Sequence, residues 1–184
     1  MGLIPCRSGR IALDGIDLTS LFAHQRARLG LAYVPQGREI FPDLTVLENL
    51  RMGARLAHDP HLTLREVLDA FSLLREKSDA RGDSLSGGQQ QILALGRALA
   101  CRPRILLMDE PSEGIQPSLV AQLAEHIRGI NARGVSVVLV EQNLEFAATL
   151  AREAYIMDKG RIVRALETAA ILTDKELARE YLGV

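Results

Sequence analysis

The chain has 184 residues, a net charge of −1, and 47% hydrophobic and 24% charged residues. These values are typical of one soluble globular domain with room for a small subdomain. The near-neutral charge gives no field that attracts nucleic acid or an acidic membrane. Aromatic residues make up 4% of the chain and Trp is absent, which argues against a surface that stacks bases.

The apolar stretches of the chain are short. The longest, residues 105–108 and 137–140, have the length of strands and not of membrane spans. The N-terminus has no charged region followed by an apolar stretch, so we expect no signal peptide and a cytoplasmic protein. Cys6 and Cys101 lack the spacing of a metal site, and we expect two free thiols.

The first half of the chain predicts short strands over 9–18, broken at Asp14-Gly15, and a strand over 31–34. Two pairs share the Thr-x-x-Glu spacing of a helix capping box: Thr45 with Glu48, and Thr63 with Glu66. Apolar residues at helical spacing follow each pair, so we predict two helices. The polar segment 75–83 predicts a loop.

The second half predicts alternating strands and helices. In chain order these are a helix after Ser86 that ends before Pro103, a strand over 104–111, a helix over 118–132, a strand over 135–140, a helix over 143–152, a hairpin over 154–163 across Lys159-Gly160, and a last short helix capped by Thr173 with Glu176. This alternation predicts a parallel α/β sheet. The continuous apolar run at 104–111 predicts a strand covered on both faces.

Two acids end the apolar strand over 104–111. Ligands of parallel α/β sheets bind beyond the carboxyl ends of the strands. Asp109 there could hold Mg²⁺, and Glu110 could orient and deprotonate an attacking water. The alternative is a pair of solvated acids that open the next helix.

Ser86, Gly87 and Gly88 open a helix, where a capping hydroxyl, close backbone approach and the helix dipole would suit a phosphate. The alternative is an ordinary capped helix. Gln36 and Gln142 each follow a predicted strand and could serve Mg²⁺ or a phosphate through their amide groups. In isolation, a turn residue and a strand-end cap are the better interpretations of these two glutamines.

The order and spacing of these segments are more specific than any one of them. The chain contains "VPQG" (34–37), "LSGGQ" (85–89), "ILLMDEP" (105–111), "SEGIQPS" (112–118) and "LVEQN" (139–143). Together they resemble the Q-loop, signature motif, Walker B strand, D-loop and switch region of ATP-binding cassette (ABC) transporter subunits. The resemblance covers essentially the whole chain.

The resemblance implies a P-loop NTPase-like ABC ATPase core of α/β class with a parallel sheet and an inserted α-helical signature subdomain. On this basis, residues 1–43 and 85–184 form a partial ATPase core, and residues 44–84 form the helical subdomain that leads into the signature motif.

The resemblance also implies the roles of the candidate residues. Two such subunits pair head to tail around ATP and Mg²⁺, and the signature motif of one serves the nucleotide of the other. The positions that correspond to this site are Ser86, Gly87, Gly88 and Gln89 for ATP across the interface, Asp109 and Gln36 for Mg²⁺ and nucleotide, Glu110 as general base, and Gln142 at the switch position.

The implied partners are a second ABC ATPase subunit, in a homodimer or heterodimer, and transmembrane permease subunits that dock on residues 37–50. A solute-binding protein acts indirectly, and nucleic acid is not a partner. The subunit would lie on the inner face of the cell membrane, held there through the permease.

The sequence departs from the family pattern in two ways. The switch position, usually His, is Gln142, which cannot carry a charge but can donate a hydrogen bond to a phosphate. The phosphate loop G-x-x-x-x-G-K-[ST] does not occur. The segment that begins at Met1 resembles the part of the family that follows this loop. We therefore expect the first strands and the Walker A helix to be missing, and the chain alone to bind ATP weakly or not at all.

Several functions stay open at this point. "GREIFP" (37–42) and "EGIQPS" (113–118) resemble urea and short-amide importers, whereas "VEQN" (140–143) and the terminal "YLGV" (181–184) resemble branched-chain amino acid importers. A catalytically inactive remnant, or a half-site partner, is the alternative to an active ATPase. A DNA-repair or translation ABC ATPase usually has two cassettes or long insertions. A dinucleotide-binding enzyme lacks support because no G-x-G-x-x-G follows a strand.

Overall fold

The computed structural model describes residues 1–169. Its strands are β1 Ala12–Leu13, β2 Ile16–Asp17, β3 Leu31–Val34, β4 Ile105–Asp109, β5 Ser136–Val140, β6 Glu153–Asp158 and β7 Arg161–Glu167. Its α-helices are α1 Ala23–Arg28, α2 Val46–Ala54, α3 Pro60–Ala70, α4 Ser72–Glu76, α5 Gly87–Leu99, α6 Pro117–Ala132 and α7 Leu144–Leu150. The predicted cap at Thr173 and Glu176 lies outside the described residues.

A three-stranded parallel sheet organises the fold, as the sequence predicts. Its order is β3-β4-β5, and Leu31 is in register with Ile105, which is in register with Ser136. Because all three strands run in the same direction, the residues that follow Val34, Asp109 and Val140 emerge at one edge.

One face of this sheet carries the core. Ala32, Val34, Leu106 and Met108 are buried there, and Val137 and Leu139 pack against the same cluster. The helices cover this face with fully buried leucines: Leu50 of α2, Leu74 of α4, Leu93 and Leu95 of α5, and Leu123 of α6. Burial of this apolar area is the main stabilising contribution to the fold.

The other face is open, which contradicts the prediction of strands covered on both faces. Val138 and Val140 of β5 retain 53% and 56% of their surface, and Leu107 of β4 is only half-buried. The core cluster takes its strand residues from the opposite face, together with side chains of α2 to α7. The apolar composition of β4 and β5 therefore exceeds what the described residues bury.

The helix entries are partly as predicted. Thr45 caps α2 and forms the expected box, since its hydroxyl accepts from Glu48 N at 3.2 Å while Glu48 accepts from Thr45 N at 2.8 Å. The prediction that Thr63 caps the next helix is wrong. Asp59 caps α3 by accepting from Leu62 N at 2.9 Å.

The physical reason is the Asp59-Pro60 pair, because proline suits the first helical position and aspartate suits the cap. Thr63 lies one turn inside α3 and donates its hydroxyl to the Asp59 carbonyl at 2.8 Å. The segment 75–83, predicted as a loop, contains the end of α4 and a 3₁₀ turn at Gly82–Ser84.

Both predicted turns are confirmed. Asp14-Gly15 joins β1 to β2 and Lys159-Gly160 joins β6 to β7, with φ of 48° and 81° in the first turn and 44° and 77° in the second. Positive φ at both central residues gives the twist that two-residue hairpins need.

Helices α2 to α4 lie within residues 44–84 and join the same core as the sheet. Helix α2 packs closely on α5, and Gly53 permits this because a methyl group there would collide with the Arg97 carbonyl. A separate subdomain over 44–84 stays a prediction.

Candidate functional site

The site lies at the edge where the three parallel strands end. Gln36 follows β3, Asp109 and Glu110 end β4, and Gln142 follows β5. The in-register pairing of Met108 with Leu139 and of Asp109 with Val140 brings these segments together. The edge therefore collects polar side chains that are 74 residues apart in the chain, as between Gln36 and Glu110.

Glu110 is the hub of this cluster. Its Oε2 accepts from Gln36 Nε2 at 3.0 Å and its Oε1 accepts from Gln142 Nε2 at 2.5 Å. Its backbone has φ of 44°, in the left-handed region, and its N–H donates to the Val140 carbonyl at 2.9 Å. Since each carboxylate oxygen already accepts an amide N–H, an amide must turn away to let water reach Glu110 freely.

Asp109 is held from the neighbouring strand. The Tyr33 hydroxyl donates to Asp109 Oδ2 at 3.1 Å. Burial, and then the hydrogen bond to Asp109, raise the pKa of Tyr33, so this hydroxyl remains a donor at neutral pH. Oδ1 of Asp109 accepts no hydrogen bond from residues 1–169 in this geometry, so it is available to a cation.

Glu141 fixes the turn that follows Glu110. Its Oε1 accepts from Ser112 N at 2.9 Å and its Oε2 accepts from Asn143 N at 3.2 Å. The carboxylate thus ties the segment after β4 to the end of β5. Sequence reasoning missed this role, although an acid directly after a strand is a visible signal for it.

Glu113 is a second residue that sequence reasoning missed. Gln36 Nε2 donates to Glu113 Oε2 at 2.9 Å as well as to Glu110. The Glu113 N–H donates to the Glu110 carbonyl at 3.1 Å, so a tight turn brings the two acids to the same amide. No pattern in the sequence pairs Glu113 with a residue 77 positions earlier.

The donor set fits Mg²⁺ better than it fits a phosphate. Oxygen ligands of the kind that Mg²⁺ prefers are present in the Asp109 carboxylate and the Gln36 amide. Within residues 1–169, no three His, Cys, Asp or Glu side chains converge as a metal site. A cation would therefore need further oxygens from water or a nucleotide.

Positive charge is missing from the same edge. In the part of the chain that the structure describes, no Lys or Arg forms an ion pair with Asp109, Glu110, Glu113 or Glu141. Phosphoryl transfer depends on neutralisation of phosphate charge, and these acids cannot supply it.

The signature segment begins α5. Ser86 is its N-cap, and its N–H donates to Gln89 Oε1 at 3.1 Å. Gly88 was predicted to give a ligand close access. In the structure Gly88 is buried, and a methyl group there would clash with Leu119 and lie 3.0 Å from Ile115. The close approach at Gly88 is thus one made by its own chain, and nucleotide contact stays a prediction.

Arg38 connects the signature segment to the carboxylate cluster. Its guanidinium donates to Gln90 Oε1 at 3.4 Å and to the Gly114 carbonyl at 3.5 Å, and a methyl group on Gly87 would lie 2.9 Å from it. Gly114 directly follows Glu113. Arg38 has φ of 72°, so the loop after Gln36 bends back to place this side chain.

A cavity of about 710 Å³ lies away from this edge, near Gly30 and Arg104 at the beginning of β3 and β4. It includes none of the predicted site residues. Among residues 1–169, no helix is long and apolar enough to cross a membrane.

Solved structures show what class of protein has this fold. An ATP-binding cassette of an ABC transporter in its ADP conformation matches the chain with a TM-score of 0.80 at 24% identity, over 100% of this chain and 80% of that one. A nucleotide-free cassette from an ABC transporter matches with a TM-score of 0.81 at 23% identity and the same coverage. The fold is that of an ABC ATPase, the P-loop NTPase class with a parallel sheet.

Sequence relatives define the family. The ABC transporter family model matches residues 1–113. The high-affinity branched-chain amino acid transport ATP-binding protein BraG of Pseudomonas aeruginosa is 42% identical over 178 residues, which span 96% of this chain and 76% of BraG. The lipopolysaccharide export ATP-binding protein LptB of Haemophilus influenzae is 32% identical over 100% of this chain and 78% of LptB. The chain belongs to the ABC transporter family, as an ATP-binding subunit.

Proposed function

We propose that this subunit binds and hydrolyses ATP to energise an importer of branched-chain amino acids. The observation that carries the proposal is the convergence of Gln36, Asp109, Glu110 and Gln142 at one sheet edge, in a chain that is 42% identical to BraG. These residues occupy the positions that the family resemblance assigns to Mg²⁺, the general base and the switch.

The residues of this edge have distinct proposed roles. Asp109 and the Gln36 carbonyl hold Mg²⁺, which supplies charge neutralisation to the β- and γ-phosphates when bound. Glu110 accepts the proton of the attacking water once an amide hydrogen bond is released. Gln142 donates to the γ-phosphate after it leaves Glu110.

Assembly completes the site. We propose that Ser86, Gly87, Gly88 and Gln89 contact the nucleotide of a second ABC ATPase subunit. A cassette with a TM-score of 0.77 to this chain is described as a dimer with ADP and Pi after hydrolysis. Arg38 then links that signature segment to the carboxylates of its own subunit.

Permease subunits dock on residues 37–50 in this proposal, and a solute-binding protein acts through them. Phe41 is 43% exposed in this segment, and the Arg97 guanidinium lies 5.0 Å from the centre of its ring. An exposed aromatic ring held in place by a cation offers the apolar anchor that an interface needs. Docking here would place the subunit in the cytoplasm, against the inner face of the membrane.

The chain alone is proposed to be a weak ATPase or an inactive one. The described residues bring acids and amides to the edge but no Lys or Arg, so the phosphates lack neutralising charge. A second subunit, or a further part of the polypeptide, would have to supply it. A half-site partner that never hydrolyses ATP is the corresponding alternative.

Lipopolysaccharide export is a second candidate function, because LptB is 32% identical over the full chain. Import of urea or short amides, which the motifs also suggested, is not supported by these relatives. BraG has the higher identity by ten percentage points, which favours amino acid import.

Phosphate release from ATP, with and without Mg²⁺, tests the proposed activity. The purified chain is assayed alone and together with BraG, the similar subunit. We expect activity above that of BraG alone only in the mixture, and its loss with Glu110→Gln in this chain. Glu145→Gln, at an exposed glutamate in the first turn of α7, is the matched control.

Two results would contradict this proposal. Mg-dependent hydrolysis by the chain alone would show that the described edge suffices. A mixture whose rate does not change with Glu110→Gln would remove Glu110 from the reaction and favour the inactive alternative.

A further inference from the structure

The Gln36 amide lies between two carboxylates. Its Nε2 is 3.0 Å from Glu110 Oε2 and 2.9 Å from Glu113 Oε2. A primary amide nitrogen has two hydrogens, so each acid can take one of them. Both carboxylates thus depend on the same side chain, and its orientation depends on both of them.

Electrostatics selects one of the two amide orientations. The opposite flip would bring Gln36 Oε1 to the position of Nε2 and place its partial negative charge against two carboxylate oxygens. With two charge-assisted hydrogen bonds the present orientation is strongly favoured, and Oε1 faces away from the acids. With Glu110 alone, one N–H would be left to water.

Glu113 is itself held in place for this contact. Its N–H donates to the Glu110 carbonyl at 3.1 Å, and the next residue, Gly114, has φ of 65°. Ser112, which precedes it, is tied to Glu141 at 2.9 Å. The turn between β4 and α6 therefore presents the Glu113 carboxylate from a fixed backbone.

We propose that Glu113 is a positioning residue for Gln36: it takes one amide hydrogen, Glu110 takes the other, and the Gln36 carbonyl is thereby turned toward the cation side of the site. This inference rests on the proposed function for its purpose, since a cation there matters only for nucleotide chemistry. The contact itself is independent of ATP.

Side-chain amide NMR of the ¹⁵N-labelled chain measures this contact directly. The two Nε2 proton signals of Gln36 are assigned with Gln36→Ala and followed from neutral to acid pH in wild type, Glu113→Leu and Glu113→Gln. Glu145→Leu, at the exposed start of α7, is the matched control. Backbone amide signals report whether each variant stays folded.

In wild type we expect both Gln36 protons to shift as the pH falls, because each donates to a carboxylate. In Glu113→Leu, one proton moves toward the position of a water-bonded amide and loses its pH response, while the other keeps both. Glu113→Gln retains an acceptor, so it restores part of the shift but not the pH response. Glu145→Leu leaves both protons unchanged.

Gln36 protons that are the same in Glu113→Leu and wild type at every pH would overturn the proposal. If Glu113→Leu disturbs the fold, Glu113→Gln decides, since loss of the pH response at one proton is still required. The proposed function can fail separately. A chain with no part in ATP hydrolysis would still show these shifts, and an active chain without them would keep its ATPase function.

Discussion

The two faces of the β3–β5 sheet differ although the same strands form them. On one face, Leu106 and Met108 are 0% and 1% exposed beneath the helices. On the other, Val138 and Val140 keep more than half of their surface. Apolar composition is similar on both, so composition alone does not tell which face of a strand carries the stability of the fold.

Neighbouring leucines of β4 give the largest expected effect. Leu106→Ala should lower the free energy of unfolding by about 2–5 kcal/mol, because it leaves a cavity in the packed face. Leu107→Ala, one residue along and on the open face, should cost less than about half as much. Chemical denaturation of both variants measures the difference. Equal losses would mean that the second face is covered in solution.

Glycines in two helices extend the comparison to the helical layer. In α5, a methyl group on Gly96 would lie 2.7 Å from Leu74 Cδ1 and 3.2 Å from Leu50 Cδ2. Gly96→Ala should therefore destabilise the chain by about 1–3 kcal/mol despite the better helix propensity of alanine. In α6, Gly129 has no atom within 4 Å of such a methyl group.

Gly129→Ala is thus the matched control, and it should stabilise the chain by about 0.4–1 kcal/mol. Opposite signs in thermal unfolding are the expected result. A stabilising Gly96→Ala would show that α5 is free to move away from α2 and α4, and the packed layer would be less tight than the structure shows.

The capping box of α2 gives a smaller effect with a pH signature. Thr45→Ala should cost about 1 kcal/mol of unfolding free energy at neutral pH. Hydrogen bonds from the Thr45 backbone and hydroxyl lower the pKa of Glu48. A lowered pKa in the folded state adds stability above the unfolded pKa of glutamate, and this stability is lost as the pH falls through the folded value.

Unfolding measured from neutral pH down to below about pH 4 should therefore show the cost of Thr45→Ala shrinking as Glu48 becomes protonated. Thr149→Ala, at an exposed threonine of α7, is the control for a threonine outside a cap. A cost of Thr45→Ala that is constant over this range would separate the cap from the Glu48 charge.

Local patterns predicted the parts of the fold that neighbouring residues determine. The Thr45 box, the Lys159-Gly160 turn and the strand ending in Asp109 each depend on a few adjacent residues. The family resemblance, not periodicity, selected Gln36 and Gln142, and the structure places both on Glu110.

What failed depends on competition or on distance. Asp59-Pro60 overrides the equally regular Thr63-Glu66 signal because a helix begins at its first adequate cap. Contacts such as Glu113 with Gln36 join side chains that only the fold brings together. The open face was missed because the apolar run in β4 shows what a strand could bury and not what covers it.

The smallest expected effect tests the open face itself. Val138→Thr and Val140→Thr keep β-branched side chains on β5 and add hydroxyls that water can solvate, so each should change stability by less than about 0.5 kcal/mol. Val34→Thr is the matched variant on the packed face, where Val34 is 1% exposed, and it should cost about 1–3 kcal/mol because its hydroxyl is buried. Denaturant midpoints compare the three. A loss of 1 kcal/mol or more at Val140 would require another part of the protein, or a partner, to cover this face, since an exposed valine has no buried contacts to lose.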